Sequence, residues 1–249
     1  HVLLGETVDG RDVSMLVIGD PHSDETKLNI WVTARQHPGE SMASWCVEGL
    51  IERLLDENDG LSRDLLNHAV FYIVPNMNPD GSVRGHLRTN AVGVNLNREW
   101  QTPSLETSPE VYHVLHKMRE TGVDMYLDLH GDEALPYNFV AGSEGVPNYD
   151  ERMAGLENTF KQSLLNATPE FQDVYGYPKN QPGEANLTVA SNAVAHQFNC
   201  MAYTLEMPFK DNADLPDAAF GWSVPRCAQL GEDLLIPIRA VVNKLKTTQ

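Results

Sequence analysis

Residues 28–56 have the sequence LNIWVTARQHPGESMASWCVEGLIERLLD. Residues 28–33 form a short apolar run with the β-branched and aromatic content of a buried strand. From residue 41 to residue 56 the apolar side chains recur every three to four positions, which predicts an amphipathic helix. A strand followed directly by a helix is the repeating unit of α/β proteins. The polar residues between the two elements therefore lie at the carboxyl end of a strand, where such sheets bind their ligands.

The remaining sequence repeats this alternation of strands and helices. Four more apolar runs have strand character, at residues 13–18, 69–75, 124–129 and 201–205. Helical spacing occurs at residues 108–118, 153–164 and 230–245, and Pro237 interrupts or bends the last of these. The pattern predicts an α/β fold with a mixed, mostly parallel, twisted sheet and helices on both faces.

Two long segments, 76–109 and 131–149, lack periodicity and are rich in Gly, Pro and Asn. We expect loops there, and the tetrapeptide NPDG at 78–81 is a strong turn signal. Loops of this length in a compact domain are usually functional. No internal repeat or linker divides the sequence, so we expect residues 1–249 to form one domain.

Composition argues against several classes of protein. The chain has 249 residues, with 18 Lys and Arg against 35 Asp and Glu, and a net charge of −17. Nucleic acids are bound mainly by clustered Lys and Arg, so we expect no nucleic-acid partner. No run of about 18 apolar residues is present, so we expect no membrane span. The three cysteines lack CxxC spacing and the first residues lack a secretory pattern, which favours buried thiols in the cytoplasm.

The polar residues after the first strand include a candidate metal-binding pair. His37 and Glu40 are three residues apart at the start of the predicted helix, which puts both side chains on the same side of its first turn. Imidazole nitrogen and carboxylate oxygen suit Zn²⁺. His130, at the carboxyl end of a later strand, is the candidate third ligand. The alternatives are structural: His37 caps the helix, the helix dipole favours Glu40, and His130 is an ordinary buried histidine.

The first long loop and the last strand carry further candidates. Arg84, Arg88, Asn97 and Arg98 lie in one loop of an otherwise acidic chain. Arginine binds carboxylate groups in a bidentate manner, although a solvated charged loop is the alternative. Glu206 follows the last predicted strand. It is either an exposed strand end or, beside a zinc ion, a general base.

Taken in order, these motifs resemble one family. The motifs are HPGE at 37–40, NPDG at 78–81, Arg88, GVNLNR at 93–98, DLHG at 128–131 and TLE at 204–206. Their order resembles that of the zinc metallocarboxypeptidases, and the residues within the motifs are more similar still to those of the cytosolic carboxypeptidase branch. The resemblance extends over essentially the whole chain.

The resemblance implies one Zn²⁺ ion and a catalytic site around it. The implied zinc ligands are His37, Glu40 and His130. The implied substrate and catalytic residues are Asn97 and Arg98 for a terminal carboxylate, Arg88 for the oxyanion and Glu206 as the general base. The protein would then be an exopeptidase that hydrolyses the C-terminal residue of peptides or proteins. The sequence assigns no oligomeric state.

Three features depart from the family pattern. Position 95 is Asn, where relatives often have an Asp that contacts the first zinc histidine. The ungapped position of the mobile tyrosine of pancreatic-type enzymes holds Glu184, so only a gap brings Tyr175 or Tyr177 there. The cytosolic branch has a β-rich domain ahead of the catalytic one. No part of residues 1–249 represents that domain, so we expect the catalytic domain alone.

The resemblance also bears on the preferred substrate side chain. The ungapped position of the pocket floor holds Ser191, and the lack of a carboxylate there argues against basic side chains. The cytosolic branch prefers acidic residues, which need a Lys or Arg in the pocket. Arg84, Lys179 and Lys210 are the candidates for that role, and a preference for acidic C-terminal residues is the resulting expectation.

Three other functions use some of the same residues. A zinc amidohydrolase or deacylase of small N-acyl amino acids shares the fold and a similar ligand set. An inactive peptide-binding module would keep the cleft, although it has no need for a base at Glu206. A phosphoesterase built on Asp128, His130 and Asp132 is the weakest of the three, because further carboxylates at useful spacing are lacking.

Overall fold

One seven-stranded sheet forms the centre of the molecule. The computed structural model of the protein describes residues 1–246. The strands are β1 (Val2–Glu6), β2 (Asp12–Ile18), β3 (Leu28–Ala34), β4 (Ala69–Val74), β5 (Met125–Asp132), β6 (Phe139–Ala141) and β7 (Met201–Pro208). Their order across the sheet is β1-β2-β4-β3-β5-β7-β6.

The four central strands β4, β3, β5 and β7 are parallel to one another, whereas the pairs at the two edges are antiparallel. The central strands are apolar and almost entirely buried. Parallel strands have this character because helices cover both of their faces. The predicted mixed sheet is confirmed, and its parallel part is the centre.

Helices cover both faces of the sheet, as predicted. They are α1 (Ser41–Leu55), α2 (Gly60–His68), α3 (Pro79–Arg84), α4 (Pro109–Thr121), α5 (Glu151–Ala167), α6 (Ala190–Phe198), α7 (Val224–Asp233) and α8 (Leu235–Lys246). Helices α1, α2, α5, α7 and α8 contribute to the apolar core on one face, and α4 and α6 contribute to the core on the other. Within residues 1–246, no helix has the length and apolar content needed to cross a bilayer.

The elements that the sequence did not predict are short or lie at the edges. β1 has no continuous buried face and β6 has three residues, so neither gives a clear periodic signal. Helices α2, α3 and α6 have nine residues or fewer. Such helices depend on tertiary packing, because isolated helices of this length are unstable in water.

The turn predicted at residues 78–81 is wrong, because these residues begin α3. The side-chain oxygen of Asn78 accepts a hydrogen bond from the backbone N–H of Gly81 at 3.0 Å, and Pro79 occupies the first helical position. Asn and Pro suit a helix start as well as a turn, because a helix leaves its first N–H groups unpaired. The two segments predicted as loops thus contain α3, a 3-10 turn at Leu96–Arg98, and β6.

The break predicted at Pro237 lies three residues earlier, at Leu234 between α7 and α8. Pro237 is the third residue of α8. A helix tolerates proline in its first turn, where the backbone nitrogen has no partner within the helix.

A buried carboxyl group secures the loop that carries Arg88. The Glu110 side chain in the first turn of α4 is fully buried, and Asn90 donates to it at 3.4 Å. The Asn90 side chain also accepts from the backbone N–H groups of Val92 and Val94. Burial raises the pKa of Glu110 to about 7. Folding therefore favours the protonated form of this residue.

This burial predicts a specific dependence of stability on pH. Glu110 has a folded-state pKa of about 7 against an ordinary value of 4.5. Its stabilisation is complete below the lower value and is lost as the pH rises to the higher one. We expect Glu110→Gln to remove this loss, so that the variant gains about 3 kcal/mol relative to the wild type between roughly pH 4 and pH 8.

Urea unfolding at several pH values measures this difference. Glu106→Gln, an exposed glutamate in the segment before α4, is the matched control and should follow the wild type at every pH. Parallel stability curves for wild type and Glu110→Gln would contradict the prediction.

Candidate metal centre and substrate cleft

The carboxyl ends of three adjacent parallel strands bring the candidate residues together. His37 follows β3, Glu40 is the residue directly before α1, His130 lies near the end of β5, and Glu206 lies on β7. His130 and Glu206 are direct neighbours in the register of β5 and β7. Side chains at this edge of a parallel sheet share one crevice, which is why residues far apart in the sequence meet here.

The three candidate metal ligands face one another at short distances. Glu40 Oε1 lies 2.6 Å from His37 Nδ1, and Glu40 Oε2 lies 2.8 Å from His130 Nδ1. The two Nδ1 atoms are 3.2 Å apart. All three side chains are buried. Within residues 1–246 they are the one group of three donor side chains with metal-binding spacing.

The Nε2 atoms of His37 and His130 point away from Glu40, and their partners determine which ring atoms face it. His37 Nε2 lies 3.0 Å from the side-chain oxygen of Asn95, and His130 Nε2 lies 2.8 Å from Asp128 Oδ2. The Asn95 oxygen also accepts from the backbone N–H of Asn97, which fixes the orientation of its amide. Because amide and carboxylate oxygens only accept, both Nε2 atoms donate, and the Nδ1 lone pairs point at Glu40.

This donor set fits a zinc ion. Two lone pairs and a carboxylate that face one another in a buried space repel unless a cation lies between them. Two imidazole nitrogens and one carboxylate oxygen form a recognised catalytic zinc set, which leaves a further coordination position open. The residues present therefore match the chemistry that the sequence led us to expect.

The pKa directions agree with a site that attracts positive charge. Burial opposes ionisation of Glu40, but His130 and His37 outweigh it and lower the pKa of Glu40 to about 2. Burial also opposes a charge on His130, but Asp128 and Glu40 outweigh it and hold the pKa of His130 well above its ordinary value. Without a metal ion, a proton on His130 Nδ1 therefore takes the place of the cation beside Glu40. The centre thus keeps an ionised carboxylate at a buried position.

The sequence did not identify the residues that hold Asp128. Its carboxylate accepts from Thr33 Oγ1 at 2.7 Å and from Gln36 Nε2 at 2.5 Å. Gln36 in turn accepts from the indole N–H of Trp100 at 2.8 Å. Asp128 lies two residues before His130 on one strand, so the alternation of strand side chains indicates that it shares a face with His130. No comparable pattern marks Gln36 or Trp100.

Two close approaches secure the Arg88 loop against the metal centre. The backbone N–H of Gly39 donates to the carbonyl oxygen of Leu87 at 2.8 Å. A Cβ atom at Gly39 would lie 2.9 Å from that oxygen, and one at Gly81 would lie 2.3 Å from Pro38 Cγ. Only glycine fits at these two positions, so HPGE and NPDG pack directly on each other.

A cleft of about 540 Å³ opens beside the metal centre and is lined by Arg88, Asn97 and Arg98. Arg88 is exposed and has no hydrogen-bond or ion-pair partner among the described residues. Arg98 donates to the carbonyl oxygen of Asn97 at 2.6 Å and pairs with no carboxylate within residues 1–246. Burial and the nearby Arg88 lower the pKa of Arg98. An anionic ligand is the natural complement of these two cations.

Asn97 has one half of its side-chain amide available to a ligand in the cleft. Its side-chain oxygen accepts from the backbone N–H of Ala190 at 2.8 Å, at the start of α6. The amide NH₂ group therefore remains to donate to a ligand. Arg84 is paired with Asp9, and neither Arg84 nor Lys210 lines the cleft, whereas Lys179 does.

Glu206 and Tyr177 meet across the cleft. Tyr177 contacts Glu206 Oε1 at 3.1 Å and Asp132 Oδ2 at 2.6 Å through its hydroxyl group. Glu206 Oε2 has no hydrogen-bond partner in the part of the chain that is described. Burial, together with the charge of Glu40, raises the pKa of Glu206 to about 8. The second carboxylate oxygen is thus available to a ligand.

Of the two candidate tyrosines, one lies in the cleft. Tyr177 lines the cleft, whereas Tyr175 stacks on Tyr137 with 4.6 Å between the ring centres. Glu184, at the ungapped position, does not line the cleft. The role of the mobile tyrosine at Tyr177 stays a prediction.

Comparison with known proteins assigns the chain to a family. The family described as zinc carboxypeptidase matches residues 1–226. This chain belongs to the zinc carboxypeptidase family. The expected resemblance is thereby confirmed, and zinc is the metal of this family.

Two related sequences are similar to this chain over most of its length. It is 49% identical to an uncharacterized protein of Zymomonas mobilis over 98% of the chain and 63% of the relative. It is 30% identical to cytosolic carboxypeptidase 6 of Caenorhabditis elegans over 83% of the chain and 46% of the relative. The chain therefore spans less than two thirds of the length of these relatives.

Two solved metallo-carboxypeptidases share the fold. The Burkholderia cenocepacia protein has a TM-score of 0.93 and 49% identity, over 98% of this chain and 64% of its own. The Pseudomonas aeruginosa protein has a TM-score of 0.93 and 48% identity, over 97% of this chain and 64% of its own. The latter was solved in complex with (2-guanidinoethylmercapto)succinic acid.

The contact between Asn95 and His37 predicts how residue 95 affects zinc affinity. A carboxylate accepts the same hydrogen bond from His37 Nε2 and makes the ring a stronger ligand. We expect Asn95→Asp to strengthen zinc binding about 10-fold and Asn95→Ala to weaken it about 10- to 100-fold.

Competition with a fluorescent chelator at fixed pH measures both effects. Asn58→Asp, an exposed asparagine outside the cleft, adds the same charge and is the control. Equal affinities for wild type, Asn95→Asp and Asn95→Ala would refute the proposed role of this contact.

Proposed function

We propose that the protein is a zinc-dependent exopeptidase that removes the C-terminal residue of peptides or proteins. The observation that carries the proposal is the cleft beside the three-donor centre. On one side two guanidinium groups, Arg88 and Arg98, have no carboxylate partner within residues 1–246. On the other side Glu206 keeps one buried oxygen without a partner among the described residues.

His37, Glu40 and His130 would hold the zinc ion. When bound, zinc polarises a carbonyl group and lowers the pKa of a bound water to about 7. Next to a bound zinc ion the raised pKa of Glu206 would fall, because a nearby positive charge favours the carboxylate. Glu206 then takes the proton of the attacking water through its free oxygen and passes it to the leaving amine. The Tyr177 hydroxyl group orients this carboxylate through its contact with Glu206 Oε1.

The arginines determine where the peptide is cut. Arg98 binds the terminal carboxylate, and the free NH₂ group of Asn97 adds a hydrogen bond. This contact fixes the register, because only the last peptide bond then reaches Glu206 and the metal. Arg88 stabilises the negative charge on the scissile carbonyl oxygen.

The relatives support this proposal. The ligand of the Pseudomonas aeruginosa protein carries two carboxylates and one guanidinium group. Arg88 and Arg98 are suitable partners for carboxylates in this chain. Of the three basic residues considered for an acidic preference, Lys179 lines the cleft, and it is paired with Glu144 at 2.7 Å. The acidic preference stays a prediction.

A cytoplasmic location is part of the proposal. Cys46, Cys200 and Cys227 are all free and buried. Buried free thiols fit a reducing compartment, where disulfides are rare. Names of relatives such as cytosolic carboxypeptidase point the same way.

Arg98→Ala tests the exopeptidase assignment. Loss of the charged hydrogen bonds to the terminal carboxylate should lower kcat/KM on free peptides about 100-fold, mainly through KM. Arg84→Ala removes an arginine outside the cleft and should behave as the wild type. Steady-state release of the last residue, from peptides with a free or an amidated C-terminus, gives the comparison. Equal turnover of the two peptides would contradict the assignment, and turnover of N-acyl amino acids alone would favour the amidohydrolase.

Glu206→Gln tests the proposed base. An amide does not accept the proton of water, so kcat should fall by about 10²- to 10⁴-fold while the zinc content is unchanged. Elemental analysis and peptide release measure the two quantities on one sample. Glu184→Gln, an exposed position away from the cleft, is the control. A zinc-loaded Glu206→Gln protein with full activity would remove Glu206 from the mechanism.

A further inference from the structure

Four charged side chains form a cluster at the far end of the cleft: Glu144, Glu157, Lys161 and Lys179. Strand pairing gives their distance from the catalytic carboxylate. Phe139 of β6 pairs with Glu206 of β7, and Ala141 pairs with Thr204. Gly142, which adjoins the cluster, directly follows β6 and is three residues past Phe139, or about 10 Å from the level of Glu206.

Two carboxyl groups of this cluster meet at Gly142. A Cβ atom there would lie 2.3 Å from Glu157 Oε2 and 2.6 Å from Glu144 Oε2. Burial and the charge of Glu144 raise the pKa of Glu157. Burial opposes ionisation of Glu144, but Lys179 outweighs it and lowers the pKa of Glu144. The contact therefore joins a carboxyl group with a raised pKa, Glu157, to one with a lowered pKa, Glu144.

Glu144 is the carboxylate that faces the cleft. Glu144 lines it, whereas Glu157 does not. The Glu157 side chain is held by Lys161 at 2.9 Å and by the Tyr149 hydroxyl group at 3.0 Å. Lys161 also pairs with Asp173 at 3.1 Å. These bonds hold Glu157 and Lys161 in place beside Glu144.

The partner of Glu144 is easily displaced. The Lys179 ammonium group lies 2.7 Å from Glu144 Oε1, but the Lys179 side chain is 72% exposed and that of Glu144 is 15% exposed. Ion pairs that involve such exposed side chains contribute little to stability. Lys179 can return to water at small cost, whereas Glu144 cannot.

The space between Glu206 and this cluster suits a long side chain. Its lining includes the small residues Ala141, Gly142, Ser191 and Thr204. Thr204 Oγ1 donates to Ser191 Oγ at 3.0 Å, so these hydroxyl groups partly satisfy each other. A lysine has a four-carbon stem and an ammonium group at its end, and an arginine has a similar reach.

We propose that Glu144 selects a cationic side chain, lysine or arginine, at the C-terminus of the substrate, and that Lys179 is its displaceable counter-ion. The inference rests on the proposed exopeptidase function. With the terminal carboxylate on Arg98, the substrate side chain extends past Thr204 and replaces the Lys179 ammonium group at Glu144. The exchange conserves the ion pair and releases Lys179 to solvent.

An acidic side chain at the C-terminus of the substrate has no ion pair of this kind that it can enter without breaking one. It has to take Lys179 from Glu144, or Lys161 from Glu157 and Asp173. Loss of Lys179 without a replacement cation leaves the largely buried Glu144 carboxylate unpaired, and loss of Lys161 breaks its bonds to both Glu157 and Asp173. Both changes are costly. Ser191, at the expected pocket floor, has no carboxylate. In this proposal Glu144, which also lines the cleft, provides one. The proposal therefore favours the charge opposite to the one that the resemblance implied.

Release of C-terminal Lys, Arg, Leu and Glu from matched blocked dipeptides tests the inference. The zinc-loaded wild type should show kcat/KM for Lys and Arg at least about 30-fold above Leu and Glu. Glu144→Gln should lower the ratio of Lys to Leu about 30-fold. Glu133→Gln, an exposed glutamate of the same cleft, should keep that ratio. Lys179→Ala removes the competitor and should raise kcat/KM for Lys.

Other results of this experiment overturn the inference. Fastest release of Glu, with loss of that release in Lys179→Ala, assigns Lys179 to an acidic pocket instead. Equal release of all four residues shows that the cluster has no role in selection while the exopeptidase function stands. Failure to release any residue from free peptides overturns the proposed function itself.

A binding measurement decides the inference even without turnover. Calorimetry compares (3-guanidinopropyl)succinic acid with propylsuccinic acid, which lacks the cation. The guanidino compound should bind about 30-fold more tightly to the wild type and lose this advantage in Glu144→Gln. Equal affinities of the two compounds for the wild type would overturn the inference. Thermal unfolding verifies that each variant is folded.

Discussion

Two imidazole lone pairs and one carboxylate point at the same buried space, and the rest of the site depends on this constraint. Asn95 and Asp128 each accept a hydrogen bond from the outer nitrogen of a ring, so the inner nitrogens of His37 and His130 both face Glu40. A buried arrangement of this kind is stable only around a cation. The hydrogen bonds of Asn95 and Asp128 to the outer ring nitrogens are therefore needed to orient the metal ligands.

The sheet explains why one crevice contains all of these groups. The ends of β3, β5 and β7 are adjacent, so the donors and Glu206 come from neighbouring strands. HPGE and NPDG then bring the arginine loop against the donors through the contact of Gly39 with Leu87. The antiparallel edge strand β6 and the residue after it, Gly142, extend the crevice by about 10 Å, and the Glu144 carboxylate lies at Gly142. The proposed catalytic and selective ends of the cleft are thus both reached from the pair of strands β6 and β7.

The sequence predicted the residues of the centre because HPGE carries a ligand pair in one motif and His130 follows a clear strand. It gave no signal for Glu144, because this residue lies in the aperiodic segment that follows the three-residue strand β6. The sequence could not tell which of Tyr175 and Tyr177 lies in the cleft, because a gap shifts the alignment and the contact of the Tyr177 hydroxyl group with Glu206 depends on tertiary structure. NPDG was wrongly predicted to be a turn, because Asn and Pro are favoured both in turns and at the first positions of a helix. Long, strongly periodic elements were predictable; short elements fixed by tertiary packing were not.

X-ray absorption spectroscopy at the zinc edge of the zinc-loaded protein tests whether His37, Glu40 and His130 share one zinc ion. We expect nitrogen and oxygen neighbours at about 2.0 Å with the multiple scattering of two imidazole rings and no sulfur. The same spectrum of His130→Ala should show one ring fewer. A shell of sulfur at about 2.3 Å, or fewer than two imidazoles in the wild type, would rule out this ligand set.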